Sequence, residues 1–388
     1  MTRPPLLFIS HFRPSYDGVG PNIRAAAHVD ALSAFFDVHV LHVEFYTLGV
    51  DTSRFVDERA ASFTHLPARN GEVAIEGLVA RRWPDVPFVA MHTYRLASAR
   101  ITLGVLAQLK GVRPHLHLDL DDDDCLREER TIALMTATGD VAGAAIQQSE
   151  LGRLRTLERL LAPRFDTLSL SGDPGTAQGR FPQRTLLHLP NVVRMPEAAS
   201  LAVPAPEKAS YDVLFSGSLN YFPNAEGIEY FCREVLPKLR ARVDKPVRIR
   251  IVGANPDLRV RALAALDGVT LDANVPDIAP YYRNVDLCVV PLRAASGTRL
   301  KILDAFSRRC AVVATRIGAE DLSVTDGLHL LLADDTEALA TACARVLQDA
   351  ALRQHLVENA FAWVDSNHTV NSLKPIMASI YAPVLLRT

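Results

Sequence analysis

The sequence predicts an α/β protein of two doubly wound, Rossmann-like domains facing a cleft. Three observations carry that expectation. Apolar runs of strand length alternate with helix-length amphipathic stretches in two series, one opening at Leu6 and one at Asp212. Between the series, from Arg194 to Ser210, the chain turns to Pro, Ala and charge without periodicity, as an interdomain linker does. A length of 388 residues is more than one ordinary core holds. We therefore expect domains at 1–195 and 211–370, a linker at 196–210, and a closing segment at 371–388 that crosses back to the first domain.

The first series begins with a strand at Leu6–Ser10, a loop holding Pro14, Gly18 and Gly20, a helix over Asn22–Phe35 and a strand over Asp37–Val43. A strand at Phe88–Met91, a helix from Tyr94 to Leu109 and a strand at His115–Leu120 continue it. A helical stretch from Leu126 to Leu161 breaks near Gly139, and strands at Thr167–Leu170 and Thr185–Leu189 end the half. In the second series, strand Val213–Ser216 ends in Gly217-Ser218, and Pro223-Asn224 leads into a helix over Ala225–Val243. Strand Val247–Val252, helix Leu258–Leu266, strand Val269–Leu271 and a short helix Ile278–Arg283 follow. Strand Leu287–Pro291 leads to a small-residue loop, Ala294–Gly297, and a helix from Thr298. Strands at Ala311–Ala314 and His329–Leu332, then helices at Thr336–Gln348 and Ala351–Asp365, complete the domain. The last apolar pattern, Asn371–Leu386, is interrupted by Pro375 and Pro383.

Composition narrows the class. A formal charge of −2 argues against a nucleic-acid partner. Five scattered cysteines without a C-x-x-C pair signal neither a disulfide framework nor a zinc site, and fit a reducing, cytoplasmic location. The apolar run after Met1 is too short for a signal peptide, and no run approaches the length of a membrane span.

The chemistry concentrates in Asp286–Asp304. A buried strand, a loop of small residues and a helix N-terminus make an anion cradle, because first-turn amides lack intrahelical acceptors and the helix dipole favours negative charge there. Arg299 and Lys301 oppose that dipole, which suits a diphosphate better than a plain structural helix. We expect Gly297, Thr298, Arg299, Leu300 and Lys301 to hold the diphosphate, with Gly217 and Ser218 letting backbone approach it. In the first half, Gly18 and Gly20 form a glycine loop but not a full dinucleotide fingerprint, since Ile23 stands where the third glycine would be. His92 and Arg95, at the end of a strand, are candidates to bond a sugar and to hold a phosphate or acidic acceptor. The run His117–Cys125 contains Asp119-x-Asp121. Clustered carboxylates suit Mg²⁺ or Mn²⁺, but the tripeptide is common, so we expect Asp119 and Asp121 to face the cleft, with acceptor positioning or helix capping as their work, and no metal. Arg153, Arg155, Arg159 and Arg164 read as a solvated helix face, the alternative being peripheral contact with an anionic membrane at its inner face.

An ordered set of pieces carries a resemblance. These are Phe215-Ser-Gly-Ser-Leu-Asn-Tyr-Phe-Pro-Asn-Ala-Glu-Gly, Ile251-Val-Gly-Ala-Asn-Pro, Val289 through Ala305, Val313-Ala-Thr-Arg-Ile-Gly-Ala-Glu-Asp-Leu and His329-Leu-Leu-Leu-Ala-Asp-Asp. Together they resemble the retaining, nucleotide-sugar-dependent glycosyltransferases of family four, which have the GT-B fold; the first half resembles the family only weakly. The resemblance implies an acceptor-binding first domain and a donor-binding second one. It implies transfer from a nucleoside-diphosphate sugar, a substrate rather than a cofactor, to an unidentified acceptor in cell-surface polysaccharide or glycoconjugate assembly. It also implies that Asp304 meets the ribose and Val275 the base. The family usually carries two glutamates spaced E-x₇-E; here Ser296 and Asp304 occupy those positions. The branch with Gly-Thr-Arg-Leu-Lys commonly lacks the first, whereas the shorter Asp304 is a departure that bears on affinity and donor choice. A nucleotide-sugar 2-epimerase on the same fold, and a non-catalytic sugar-nucleotide-binding partner, are the alternatives.

Overall fold

The computed structural model describes residues 3–45, 53–68, 73–197 and 208–386. Of the expected linker, residues 198–207 lie outside the described set. The chain divides into two compact units. Unit 1 comprises Met1–Cys125, Glu150–Val192 and Val370–Thr388; unit 2 comprises Leu126–Ser149 and Val193–Thr369. The stretch 126–149 therefore clusters with the second unit although it is embedded in the sequence of the first.

Unit 1 is built on strands β1 (Pro5–Ser10), β2 (Asp37–Glu44), β3 (Ser62–Pro67), β4 (Ala90–Tyr94), β5 (His115–Asp119), β6 (Thr167–Leu170) and β7 (Leu186–His188). All pairings are parallel, in the order β3-β2-β1-β4-β5-β6-β7. Sheets of this kind are covered on both faces, so their strands read as continuous apolar runs. Alternation still sorts side chains to opposite faces: Leu7 and Ile9 enter one apolar cluster, Leu6 and Phe8 the other. The helix Gly20–Leu32, with a proline in its first turn, covers the second face. Val370–Ile380 packs there too, placing Leu373, Met377, Ile380 and Tyr381 in the same cluster. That helix runs through Pro375 rather than breaking at it, because its apolar face is buried over the whole length. The segment between β2 and β4 adds the edge strand β3 and the short helices Phe55–Arg59 and Leu78–Arg82, which alternation in the sequence does not signal.

Unit 2 carries β8 (Tyr211–Ser216), β9 (Val247–Gly253), β10 (Val269–Ala273), β11 (Leu287–Val290), β12 (Val312–Ala314) and β13 (Leu331–Leu332). These too are all parallel, in the order β10-β9-β8-β11-β12-β13. Val213, Phe215, Leu287 and Val289 face one cluster; Leu214, Cys288 and Val290 face the other. In each unit the winding reverses once, between β1 and β4 and between β8 and β11. Chain crossovers leave in opposite directions at such a point, and a crevice opens at the carboxyl ends of the two strands.

Candidate functional site

In unit 2 the β8/β11 crevice is lined by three segments. β8 ends at Gly217, whose φ of +153° suits glycine, and a Cβ there would lie 2.8 Å from Asn224 Nδ2 and 3.0 Å from Lys301 Nζ. Asn224, in the first turn of the helix Phe222–Tyr230, donates to Ser218 O at 2.9 Å. Its Oδ1 accepts from Lys301 Nζ at 2.5 Å, and the ammonium also lies 4.6 Å from the centre of the Phe215 ring. No described carboxylate forms an ion pair with Lys301. Loss of solvent first, and the Arg299 guanidinium second, lower its pKa to about 7. Gly217, Ser218 and Lys301 are thus brought together, with Asn224 as a member that sequence reasoning passed over. Its only signal was the Pro223-Asn224 helix entry.

The helix of the anion cradle begins at Leu300, not Thr298, and runs to Ser307 with Arg299 as its extended N-cap residue. That shift changes the role of Arg299. Its buried guanidinium turns back and donates to the carbonyls of Ser296 and Gly297, and to Ile317 O at 3.4 Å. The expectation that Arg299 faces a phosphate is corrected: it fixes the loop, and Lys301 is the cation presented to the crevice. Ser296 and Thr298 are buried, and Gly297 adopts φ +74°. The first intrahelical bond returning to the N-cap is from Ile302 N to Arg299 O at 2.9 Å, which leaves the Leu300 and Lys301 amides without an intrahelical acceptor.

Asp304 lies one turn further on. Its Oδ1 accepts from Arg308 Nε at 2.8 Å, and its side chain is 26% exposed. Arg308 stacks 5.2 Å from the centre of the Tyr282 ring, whose hydroxyl is 3.1 Å from Ser216 Oγ at the end of β8. Burial, then the Asp304 charge, push the Tyr282 phenol well up, so it stays neutral. Val275 follows β10 and packs, half-buried, on the cluster holding Tyr282, Ile302 and Leu303.

In unit 1 the crevice lies at the ends of β1 and β4. Arg95 and Asp121 both have positive φ, at 64° and 67°, a conformation that costs about 1–3 kcal/mol for a non-glycine residue. The Arg95 amide is tied to Asp119 O at 2.7 Å. Its guanidinium sits 3.3 Å from Asp121 Oδ2 and 3.8 Å from Asp124 Oδ1. Asp121 accepts from the Tyr94 hydroxyl at 2.8 Å and lies 3.2 Å from Arg24. Burial, reinforced by Asp122, pushes the Asp121 carboxyl up to about 7 against the pull of Arg95 and Arg24. Asp119 is bound by the buried Arg24 through two 2.9 Å bonds and by Ser169 at 2.8 Å. Both carboxylates of the Asp119-x-Asp121 pattern are thus engaged by arginine.

His92 is a second correction. β4 starts two residues later than expected and places His92 in mid-strand, fully buried. Its Nδ1 pairs with the Tyr381 hydroxyl at 2.8 Å and its Nε2 with His28 Nδ1 at 3.2 Å. Burial, then His28, keep it neutral. With both ring nitrogens used inside the unit, His92 does not reach a sugar. The imidazole at the crevice is instead His11, just after β1. It lies 3.1 Å from Ser98 Oγ, and burial, then Arg95, hold its pKa at about 3. Gly18 is exposed in the loop after β1, where a Cβ would come within 2.6 Å of Asn22 Cβ, and Gly20 opens the following helix. The arginines at 153, 155, 159 and 164 are exposed, Arg153 being paired with Glu150. No helix among the described residues is long and apolar enough to cross a membrane.

Comparison with known proteins defines the fold. Over its whole length the chain superposes on a sucrose-phosphate synthase from Thermosynechococcus elongatus, with TM-score 0.71 and 18% identity over 100% of both chains. A glycosyltransferase from Rickettsia africae gives TM-score 0.67 and 11% identity over 100% of both. Anabaena HepE in complex with UDP and glucose gives 0.66 and 13%, over 98% of this chain and 100% of that one. The chain has the GT-B fold, two parallel-sheet α/β domains. More narrowly, residues 210–349 match the family described as "Glycosyl transferases group 1". A lipopolysaccharide core biosynthesis mannosyltransferase, LpcC, from Rhizobium leguminosarum bv. viciae is 34% identical over 128 residues, 32% of this chain and 36% of that protein. An uncharacterised 44.6 kDa protein of the Klebsiella pneumoniae cps region is 23% identical over 179 residues, 44% of this chain and 45% of that protein. The chain thus spans less than half the length of either relative.

Proposed function

We propose that this protein is a retaining glycosyltransferase of family four, moving a sugar from a nucleoside-diphosphate sugar to an acceptor hydroxyl in cell-surface glycan assembly on the cytoplasmic side of the membrane. The observation that carries the proposal is Lys301, a lysine with no carboxylate partner among the described residues, set beside the Gly217 backbone at the sheet's switch point. A depressed lysine against open backbone is a site waiting for an anion. The UDP bound by HepE and the lipopolysaccharide role of LpcC support the same donor and product classes.

In this reading the diphosphate lies against Lys301 and the amides of Leu300 and Lys301. As the sugar–phosphate bond breaks, charge grows on the departing oxygen. Donors already fixed in place stabilise it without reorganisation, and Lys301 supplies the charge, so no metal is required. Asp304 presents its second carboxylate oxygen to the ribose, and Val275 offers an apolar edge to the base. The acceptor is held in unit 1 by Arg95 and Asp121 beside the Gly18–Gly20 loop. The departing phosphate takes the acceptor proton on the face the donor leaves, which retains the anomeric configuration.

The test is a thermal-shift series with ADP, CDP, GDP and UDP on the full chain, followed by donor hydrolysis with the matching sugar nucleotide. Stabilisation by at least one diphosphate, lost in Lys301→Met, is expected. No stabilisation by any of the four would refute the proposal.

A further inference from the structure

The loop that precedes the Leu300 helix is held by two guanidinium groups. Arg299 donates to the carbonyls of Ser296 and Gly297. The carbonyl just before them, Ala295 O, accepts from Arg130 Nη1 at 2.7 Å. Three consecutive carbonyls are therefore fixed. In a trans peptide the C=O and the following N–H point in opposite directions. Fixing each of the oxygens of residues 295, 296 and 297 turns the next N–H away from the guanidinium that holds it, and successive loop amides are the material of an anion-binding concavity.

The two arginines share an anchor. Arg299 also reaches Ile317 O at 3.4 Å, and Arg130 grips both carboxylate oxygens of Glu320, with Nη2 2.8 Å from Oε1. The segment between these anchors is itself immobilised. Gly318 N donates to Thr315 Oγ1 at 2.8 Å, and a Cβ on Gly318 would lie 2.5 Å from Val290 O at the end of β11. Arg130 is more than 160 positions from the loop it touches, on the helix Asp124–Ala137. The Arg130–Glu320 pair is 26% and 32% exposed, and pairs that open to water contribute little stability, about 0–1 kcal/mol. Bidentate geometry is better suited to holding an orientation than to holding the fold together.

We infer that Arg130 is a positioning residue for the donor diphosphate: clamped by Glu320, it fixes the Ala295 carbonyl so that the loop amides face the phosphates. This rests on the diphosphate reading of the same loop.

The experiment compares wild type, Arg130→Ala, Arg130→Lys and Glu320→Gln, titrating each full chain with UDP and with uridine, or with whichever diphosphate and matching nucleoside wild type binds best. Arg130→Ala is expected to weaken the diphosphate about tenfold, the equivalent of one hydrogen bond, while leaving the nucleoside unchanged. Arg130→Lys and Glu320→Gln are expected to fall between, since each keeps part of the clamp, and they carry the test if Arg130→Ala does not fold. Equal losses for diphosphate and nucleoside mean a merely structural role and overturn the inference. So does diphosphate binding unchanged in all three variants. Failure of wild type itself to bind any diphosphate sinks the donor reading instead, and this inference with it.

Discussion

The Lys301 ammonium lies 2.5 Å from the Asn224 amide oxygen and meets no carboxylate among the described residues, while its pKa falls to about 7. A group lowered in this way is neutral in about half the molecules at neutral pH, and an anion beside it restores the charge.

Donor binding is therefore expected to take up a proton. A nucleotide sugar keeps the same phosphate charge through neutral pH, so the dependence belongs to the protein. Affinity should be level below pH 7 and fall as pH rises through 7 toward the lysine's pKa in the complex. Calorimetry in buffers of different ionisation enthalpy reads the proton directly. Lys301→Met should remove the uptake and weaken binding by about tenfold or more.

The same shift has a sign for stability. A base whose folded pKa is lowered below its unfolded 10.5 destabilises the fold fully below pH 7, and the penalty fades as pH rises toward 10.5. Unliganded Lys301→Met should therefore melt higher than wild type at pH 6.5, with the gap closing by pH 10. Melting curves at the two pH values check this.

Asp304 offers one oxygen to Arg308 and has the other left for a sugar hydroxyl. Asp304→Ala should erase the preference for a ribonucleoside diphosphate over its 2′,3′-dideoxy analogue, measured by competition. The expected loss for the ribonucleotide is about tenfold, with little change for the analogue. An unchanged preference would remove Asp304 from the ribose site.

Asp121→Asn keeps the size of the side chain but not the charge that meets Arg95 and Arg24. Transfer to acceptor should fall by about a hundredfold or more, in line with losing one buried charged contact, while diphosphate affinity stays at the wild-type value. A matching loss of diphosphate affinity would contradict the acceptor-side assignment.

His92 and Tyr381 belong to folding rather than to substrate. Tyr381→Phe leaves a His92 nitrogen unpaired in the core and should cost about 1–3 kcal/mol in denaturant melts, without altering diphosphate binding. Ending the chain before Ser372 removes Leu373, Met377, Ile380 and Tyr381 from the unit 1 cluster, each worth about 1.5–3 kcal/mol. Hydrogen exchange should then rise across β1 and the Gly20–Leu32 helix and stay unchanged across β8 and β11.

How much of this was legible in the sequence varies with distance along the chain. The two parallel sheets follow from apolar runs, and the crevice in unit 2 from a strand, a small-residue loop and a helix in immediate succession. The position of Lys301 is legible because it lies within that succession. Arg299 is not, because its direction depends on whether the helix starts at Thr298 or Leu300, and composition does not resolve two residues. His92 fails for the same reason: a small shift of β4 moves it from a strand end to mid-strand. β3 is missed because its apolar residues Phe63 and Leu66 are three apart rather than two, and the strand is short. The partners of Asn224 and Arg130 could not be found from local pattern, since they lie 77 and 165 positions away.

An ammonium that meets no carboxylate among the described residues also bears on how the protein should be handled. Any small oxyanion at high concentration can serve as its counter-ion. Phosphate and sulfate buffers should raise the apparent stability of the nucleotide-free protein and act as competitive inhibitors, whereas a bulky zwitterionic buffer should do neither. Preparations made in phosphate would then report a weakened donor affinity in proportion to the salt carried over.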